Sequence, residues 1–310
     1  MIEVEGIRKS FDGTAALAGF TLHVEKGELF GLVGPNGAGK TTLMKVLSTL
    51  LRPDSGVARI AGHDVAREPA AVRRAVGYMP DIPGLYQDMR VGEFLEFFAA
   101  AFHLRGERKR AAVERALEQS GMADRRDTFV EALSLGWKQR LALAKTLLHD
   151  PPVVLLDEPA TGLDPLARIE LRQRLKDLNR QGVTILVSSH ILADLEDICT
   201  RVALISGGKN AADAEGRTVL VLGEMAAPVL TCEIEVLSGA PAAAELASQF
   251  VGARVISVEG LRLSVEVGGT AQAAALLKHL TGAGIAVVRF DPRGPGLEER
   301  YRKAFGGTVP

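Results

Sequence analysis

The sequence predicts an α/β protein: a parallel sheet flanked by helices, a small antiparallel β subdomain, an all-helical insert, and a C-terminal α+β domain. Three observations predict it. First, short continuous apolar runs end in turn or charged residues: GELFGLVG (27–34), PVVLLDEP (152–159) and VTILVSSH (183–190). Runs of this kind suit strands buried on both faces of a parallel sheet. Second, helical patterns separate these runs, with KTTLMKVLSTLL after the first and PLARIELRQRLKDLNRQG after the second. Third, the composition changes near residue 228. From there the order is strand (TCEIEVL), helix (PAAAELASQF), strand (RVISVE), strand (RLSVEV), helix (AQAAALLKHLTGAG), strand (IAVVRF), which is a ferredoxin-like pattern. In open α/β sheets ligands gather at the carboxyl ends of the strands, so chemistry is expected there.

Each element has its own signal. The N-terminal MIEVEGIRKSF reads as a strand, without the apolar core of a signal segment, and with GVARIAGHDV (56–65) adds a small antiparallel sheet. Residues from about 91 to 149 carry almost no strand signal; VGEFLEFFAAAF, ERKRAAVERALEQSG and LSLGWKQRLALAKTLL make the helical insert, at about 86–149. The helix after residue 164 has Asp164 as N-cap, Pro165 in its first position and Gly182 past its end. PGLEERYRKAF reads as a short terminal helix.

The 310 residues suggest about two domains of ~150 residues, placed at 1–222 and 229–310. A hydrophobic content of 47% suits a sizeable core and excludes a disordered chain. Lys and Arg (37) nearly balance Asp and Glu (38), which argues against a nucleic-acid partner. Cys199 and Cys232 are too few for a disulfide framework and suit reduced thiols in the cytoplasm. No run approaches the ~20 apolar residues of a membrane span. FLEFFAAAF (94–102) is interrupted by Glu96 and reads as a buried helix. Any membrane role therefore comes through a partner.

GPNGAGKT (34–41) fits the P-loop template, after a strand and before a helix, and so defines a P-loop NTPase sheet. Backbone amides of such a loop wrap phosphates, and the helix N-terminus adds its dipole. Gly34, Pro35, Asn36, Gly37, Ala38, Gly39, Lys40, Thr41 and Thr42 form the expected phosphate cradle, with Lys40 on the outer phosphates and Thr41 on Mg²⁺. VVLLDEP adds Asp157 for Mg²⁺ and Glu158 to orient and deprotonate the attacking water, a role typically worth ~10²–10⁴ in rate.

These motifs, in this order, make roughly residues 1–222 resemble the ATP-binding subunit of an ABC transporter. LSLGWKQRL (133–141) resembles the family signature LSGGQ, ATGLDP resembles the loop after the acidic strand, and His190 resembles the switch histidine. The resemblance implies head-to-tail pairing of two such domains, in a homodimer or with a close paralogue. Ser134 and Gly136 of one chain would then contact the γ-phosphate held by the other. It further implies that His190 holds Glu158 and the water in line, that Phe11 stacks on adenine, and that the loop at Asp164 touches the partner. A separate transmembrane permease completes the transporter, leaving this chain peripheral on the inner face of the membrane. The tail GLEERYRKAFGG weakly resembles subunits serving drug and sodium exporters.

Departures from the pattern are local. Asp81 stands where the family has a Gln that reaches Mg²⁺ and water; an oxygen ligand is retained. Leu135 and Trp137 replace a Gly and the Gln of the signature. They are the support for an alternative, a soluble or regulatory ABC-type ATPase with little turnover and no coupling to transport. A role in translation or DNA repair predicts a basic face or long coiled-coil insert, and GTP specificity predicts an Asn-Lys-X-Asp sequence; neither is present.

Overall fold

A computed structural model describes residues 1–190, 193–196, 198–212, 218–221 and 230–293. It divides into two units, Met1–Leu220 and Val221–Pro310. The first runs β1 (Ile2–Phe11), β2 (Thr14–Val24), β3 (Leu29–Val33), α1 (Lys40–Leu47), β4 (Ser55–Ile60), β5 (His63–Asp64), α2 (Pro69–Ala75), β6 (Val76–Met79), α3 (Val91–Ala101), α4 (Gly106–Ser120), α5 (Leu135–Leu147), β7 (Val153–Asp157), α6 (Pro165–Arg180), β8 (Thr184–Ser189), α7 (Ala193–Glu196), β9 (Arg201–Ser206), β10 (Lys209–Ala211) and β11 (Val219–Val221). Two 3-10 turns, Ala123–Arg125 and Val130–Ala132, join α4 to α5.

The fully apolar strands lie where their composition requires. β3, β7 and β8 are buried at every position and occupy the middle of a sheet ordered β10-β9-β3-β8-β7-β6, with β11 against β9. Neighbours from β9 to β6 are parallel, and β10 is antiparallel to β9. Register then builds the site. Val33 pairs with Ser189, and Asp157 pairs with Ser188. The residues that leave β3, β7 and β8 therefore emerge side by side at one rim.

A second sheet, β2-β1-β4-β5, is antiparallel throughout. Its apolar face contributes Ile2, Val4, Phe20 and Ile60 to a core shared with Phe30, Leu155 and the Leu43, Met44, Leu47 stripe of α1. Burying each such side chain favours the fold by about 1.5–3 kcal/mol, which anchors α1 under its loop. Helices α3, α4 and α5 enclose a separate core around Phe94, Leu95, Val113, Leu117, Leu141 and Leu148. The reading of FLEFFAAAF as a buried helix needs correction. Phe94, Leu95 and Ala99 are buried, but Phe97 is 50% exposed, because the insert covers only one side of α3.

The second unit runs β12 (Leu230–Val236), α8 (Ala240–Gln249), β13 (Ala253–Glu259), β14 (Arg262–Val267), α9 (Thr270–Gly282) and β15 (Val287–Arg293). Its antiparallel sheet has the order β13-β14-β12-β15. Alternate residues Cys232, Ile234 and Val236 turn inward onto Ala243 and Ala247 of α8 and Leu276 and Leu280 of α9. The composition change near residue 228 and the terminal helix PGLEERYRKAF lie outside the described residues. Cys199 and Cys232 are buried free thiols. Among the described residues no helix is long and apolar enough to cross a membrane.

Candidate active site

The loop between β3 and α1 demands glycine at two points. A Cβ on Gly34 would lie 2.3 Å from the Ile205 carbonyl oxygen. Gly39 has φ 108°, and a Cβ there would lie 2.5 Å from the Ala16 oxygen. Gly39 also caps α1 without any side chain, so the first amides of the helix are left for a ligand. Asn36, Gly37 and Thr41 are exposed, Pro35 and Thr42 half-buried, and Ala38 buried. Lys40 is only 5% exposed; its Nζ donates to the oxygens of Gly34 (2.7 Å) and Pro35 (3.2 Å). The same amine sits 3.2 Å from Glu158 Oε1.

Asp157 ends β7 fully buried. Its Oδ1 accepts from Ser188 Oγ at 2.7 Å, and its Oδ2 has no hydrogen-bond partner among the described residues. Burial raises its pKa, opposed by Ser188 and Thr41, while the charges of Glu158 and Asp81 add to the rise. A desolvated carboxylate with a free oxygen, beside the Thr41 hydroxyl, fits a hard divalent cation. Among the described residues no group of three His, Cys, Asp or Glu is arranged to hold a metal ion by protein side chains alone. Asp81 follows β6 on an exposed turn; the half-buried Tyr78 phenol nearby is raised by burial first, then by the charges of Asp157 and Asp81.

Glu158 adopts φ 49°, an unusual conformation for a residue with a side chain. Ser188 supports it: Glu158 N–H donates to Ser188 Oγ at 3.1 Å. The Glu158 Oε2 accepts from His190 Nδ1 at 2.7 Å, and from the His190 amide and the Thr161 hydroxyl at 3.4 Å each. An acceptor-only carboxylate assigns the proton to Nδ1 of the imidazole. Lys40, Asp157, Glu158 and His190 are thus brought together at the rim of β3, β7 and β8.

Ser134, Gly136 and Asp164 form a different group. Ser134 precedes α5 with extended backbone, but its side chain makes no capping bond, unlike a plain N-cap. Asp164 does cap α6, accepting from the Ala167 amide at 2.9 Å. Together they line a cleft of about 190 Å³ with Trp137, Arg140 and Glu170. No P-loop residue lines it. Phe11, at the end of β1, is 45% exposed, with the Lys9 amine 5.6 Å from its ring centre.

Sequence reasoning missed Ser188. Its only signal is its place in VTILVSSH, one residue short of the strand end, and its role follows from register with Asp157. Ser188→Ala removes one bond to a carboxylate and one from the strained Glu158 amide. Lost bonds to buried groups cost about 1–3 kcal/mol, and 1.36 kcal/mol is tenfold in rate. Steady-state assays should therefore show roughly tenfold slower ATP hydrolysis. Full activity would show that the hydroxyl supports neither acid.

A Nod factor export ATP-binding protein of Burkholderia thailandensis is 39% identical over 219 residues, 71% of this chain and 72% of that protein. The chain belongs to the ABC transporter ATP-binding family. The family description "ABC transporter" matches residues 17–161 of this ABC protein. A daunorubicin resistance ATP-binding protein of Streptomyces coeruleorubidus is 39% identical over 208 residues, 67% of this chain and 66% of that one. A solved ATP-binding subunit of an ABC transporter superposes with TM-score 0.62 at 31% identity, covering 72% of this chain and 90% of that one. A dimeric bacterial ABC transporter cassette superposes with TM-score 0.63 at 25% identity, covering 72% and 99%. The fold of the ABC chain is accordingly the ABC ATPase cassette, a P-loop NTPase with a mixed sheet and antiparallel sheets.

Proposed function

We propose that this ABC chain is the ATP-hydrolysing subunit of a membrane exporter, working as a head-to-tail pair with a second copy or a close paralogue. One observation carries the reading. Glu158 stands at the P-loop rim, held by Lys40 and His190, while Ser134 and the open first turn of α5 line a cleft with no P-loop residue. One chain thus presents a phosphate cradle with its base and, elsewhere, a surface suited to a second chain's phosphate.

In this reading the P-loop amides and Lys40 bind the triphosphate, and Phe11 stacks on adenine. Water attacks the γ-phosphorus, its proton passes to Glu158, and the bond to the β–γ bridging oxygen breaks to release ADP and phosphate. His190 keeps Glu158 aimed at that water. Ser134, Gly136 and Asp164 act on the nucleotide held by the partner chain. Thr41 and Asp157, with Asp81, would hold Mg²⁺. When bound, that ion neutralises charge on the β- and γ-phosphates. Closure on ATP and opening after hydrolysis would drive a permease by rigid-body motion.

The export direction rests on relatives named for Nod factor export and daunorubicin resistance. Contact with a transmembrane permease is assigned to the segment IPGLYQDMRVGEF and the helical insert that follows, where Ile82 is 84% exposed and Tyr86 meets the half-exposed Phe97 of α3 edge to face. That contact places the chain peripherally on the inner membrane face. Residues 1–222 form the ATPase domain. The strand order of the second unit supports a ferredoxin-like accessory domain over 229–310.

Hydrolysis by the purified chain, with MgATP and then with excess EDTA, tests this function. Phosphate release with MgATP, abolished by EDTA, is expected. A chain that binds MgATP but releases no phosphate, alone or with its permease, would instead be the regulatory form that Asp81, Leu135 and Trp137 suggest.

A further inference from the structure

The two departures in LSLGW make contacts that a Gly and a Gln would not. Leu135, half exposed at the first position of α5, lies over Gly162. A Cβ on Gly162, whose φ is +75°, would come 2.9 Å from Leu135 Cδ2. Next to it, a Cβ on Gly136 would sit 3.3 Å from Ala167 Cβ at the start of α6. The indole of Trp137 carries two guanidiniums, Arg140 at 4.5 Å and Arg125 of the 3-10 turn Ala123–Arg125 at 4.9 Å. Arg140, mostly buried, is ion-paired with Glu170 of α6. The ring is thus engaged inside its own chain. The residues reached from α5 belong to one continuous segment. It starts at Glu158, turns through Thr161 N–H to Glu158 O (3.1 Å) and Leu163 N–H to Ala160 O (3.2 Å), and enters α6 at Asp164.

We propose that Leu135 and Trp137 are positioning residues that fasten the first turn of α5 to segment 158–164 and to α6. Ser134 and Asp164 then meet a partner copy as one unit, and that unit is tied to Glu158 of its own chain. This rests on the head-to-tail reading above and gives the altered signature a role: packing replaces the flexibility of glycine. Cation–π contacts need an aromatic face rather than an indole N–H, so Phe should substitute for Trp137 and Leu should not.

Two measurements on the full chain test it. In steady-state assays, Trp137→Leu and Leu135→Gly should lower kcat by about tenfold while MgATP affinity stays within about twofold, and Trp137→Phe should stay within about threefold of the parent. Hydrogen exchange on the nucleotide-free chain should show faster exchange of amides 158–164 in Trp137→Leu and Leu135→Gly, although neither substitution lies in that segment. Unchanged exchange there, or Trp137→Phe failing as badly as Trp137→Leu, would overturn the linkage. Should Trp137→Leu fail to fold, Glu170→Gln, at the exposed end of the chain of contacts, gives the same readout with the same expected direction. If Glu158→Gln forms no ATP-dependent dimer, the pairing itself is wrong; the exchange experiment still decides the fastening within one chain.

Discussion

Glu158→Gln lowers ATP hydrolysis by about 10²–10⁴-fold, the range of a positioned general base, and leaves the chain as an ATP-bound dimer. The substitution is nearly isosteric, so the amide oxygen still accepts from His190 Nδ1, now 2.7 Å from the carboxylate. What disappears is the group that takes the proton from water. The Lys40 amine also loses its carboxylate neighbour at 3.2 Å, which removes a competitor for the γ-phosphate. Both changes favour the state before hydrolysis. The readouts are phosphate release and an ATP-dependent doubling of mass in light scattering. An unchanged rate would remove Glu158 from the chemistry, and a monomer with full ATP occupancy would count against head-to-tail pairing.

The central sheet was legible because a strand buried on both faces must be apolar throughout, and β3, β7 and β8 are. The loop before α1 was legible because only glycine fits where a Cβ would meet the backbone of Ile205 or Ala16. Those constraints act over short stretches of chain. Ser188 is different: nothing next to it in sequence says that β8 will place its hydroxyl between Asp157 and the Glu158 amide. Trp137 is different for the same reason in part: Arg140 lies three residues on along the same helix, but Arg125 arrives from another element. Substituting Trp for Gln looked like a loss when read against a motif. Its contact with Arg125 appears only once the insert is folded. The aromatic richness of FLEFFAAAF likewise hid its amphipathic character, because Phe97 points away from the face that Phe94 and Leu95 bury. Pairings between distant elements are what a single sequence conceals.

Lys40→Ala abolishes useful ATP binding. The amine is held at 5% exposure by the oxygens of Gly34 and Pro35 and by Glu158, already aimed along the loop that cradles phosphate. It is thus pre-ordered, and binding costs little further side-chain entropy. A charge-assisted hydrogen bond is worth about 1.5–3 kcal/mol. Losing it, with its Coulomb attraction to the outer phosphates, should weaken MgATP binding by about 100-fold or more. The variant also strips Glu158 of its nearby cation, so a second negative charge meets the incoming triphosphate uncompensated. Both consequences weaken binding, and neither can be repaired by the remaining amides. Thermal unfolding gives the cleanest measurement. A ligand at 100 times its Kd stabilises a fold by about 2.7 kcal/mol, so the parent chain should melt several degrees higher with saturating MgATP, while Lys40→Ala at the same concentration should show almost no shift. The nucleotide-free melting point serves as the control for folding, since removing the amine leaves two carbonyls short of a donor. A full MgATP shift in a folded Lys40→Ala chain would mean the triphosphate sits elsewhere, and the assignment of the P-loop would fall with it.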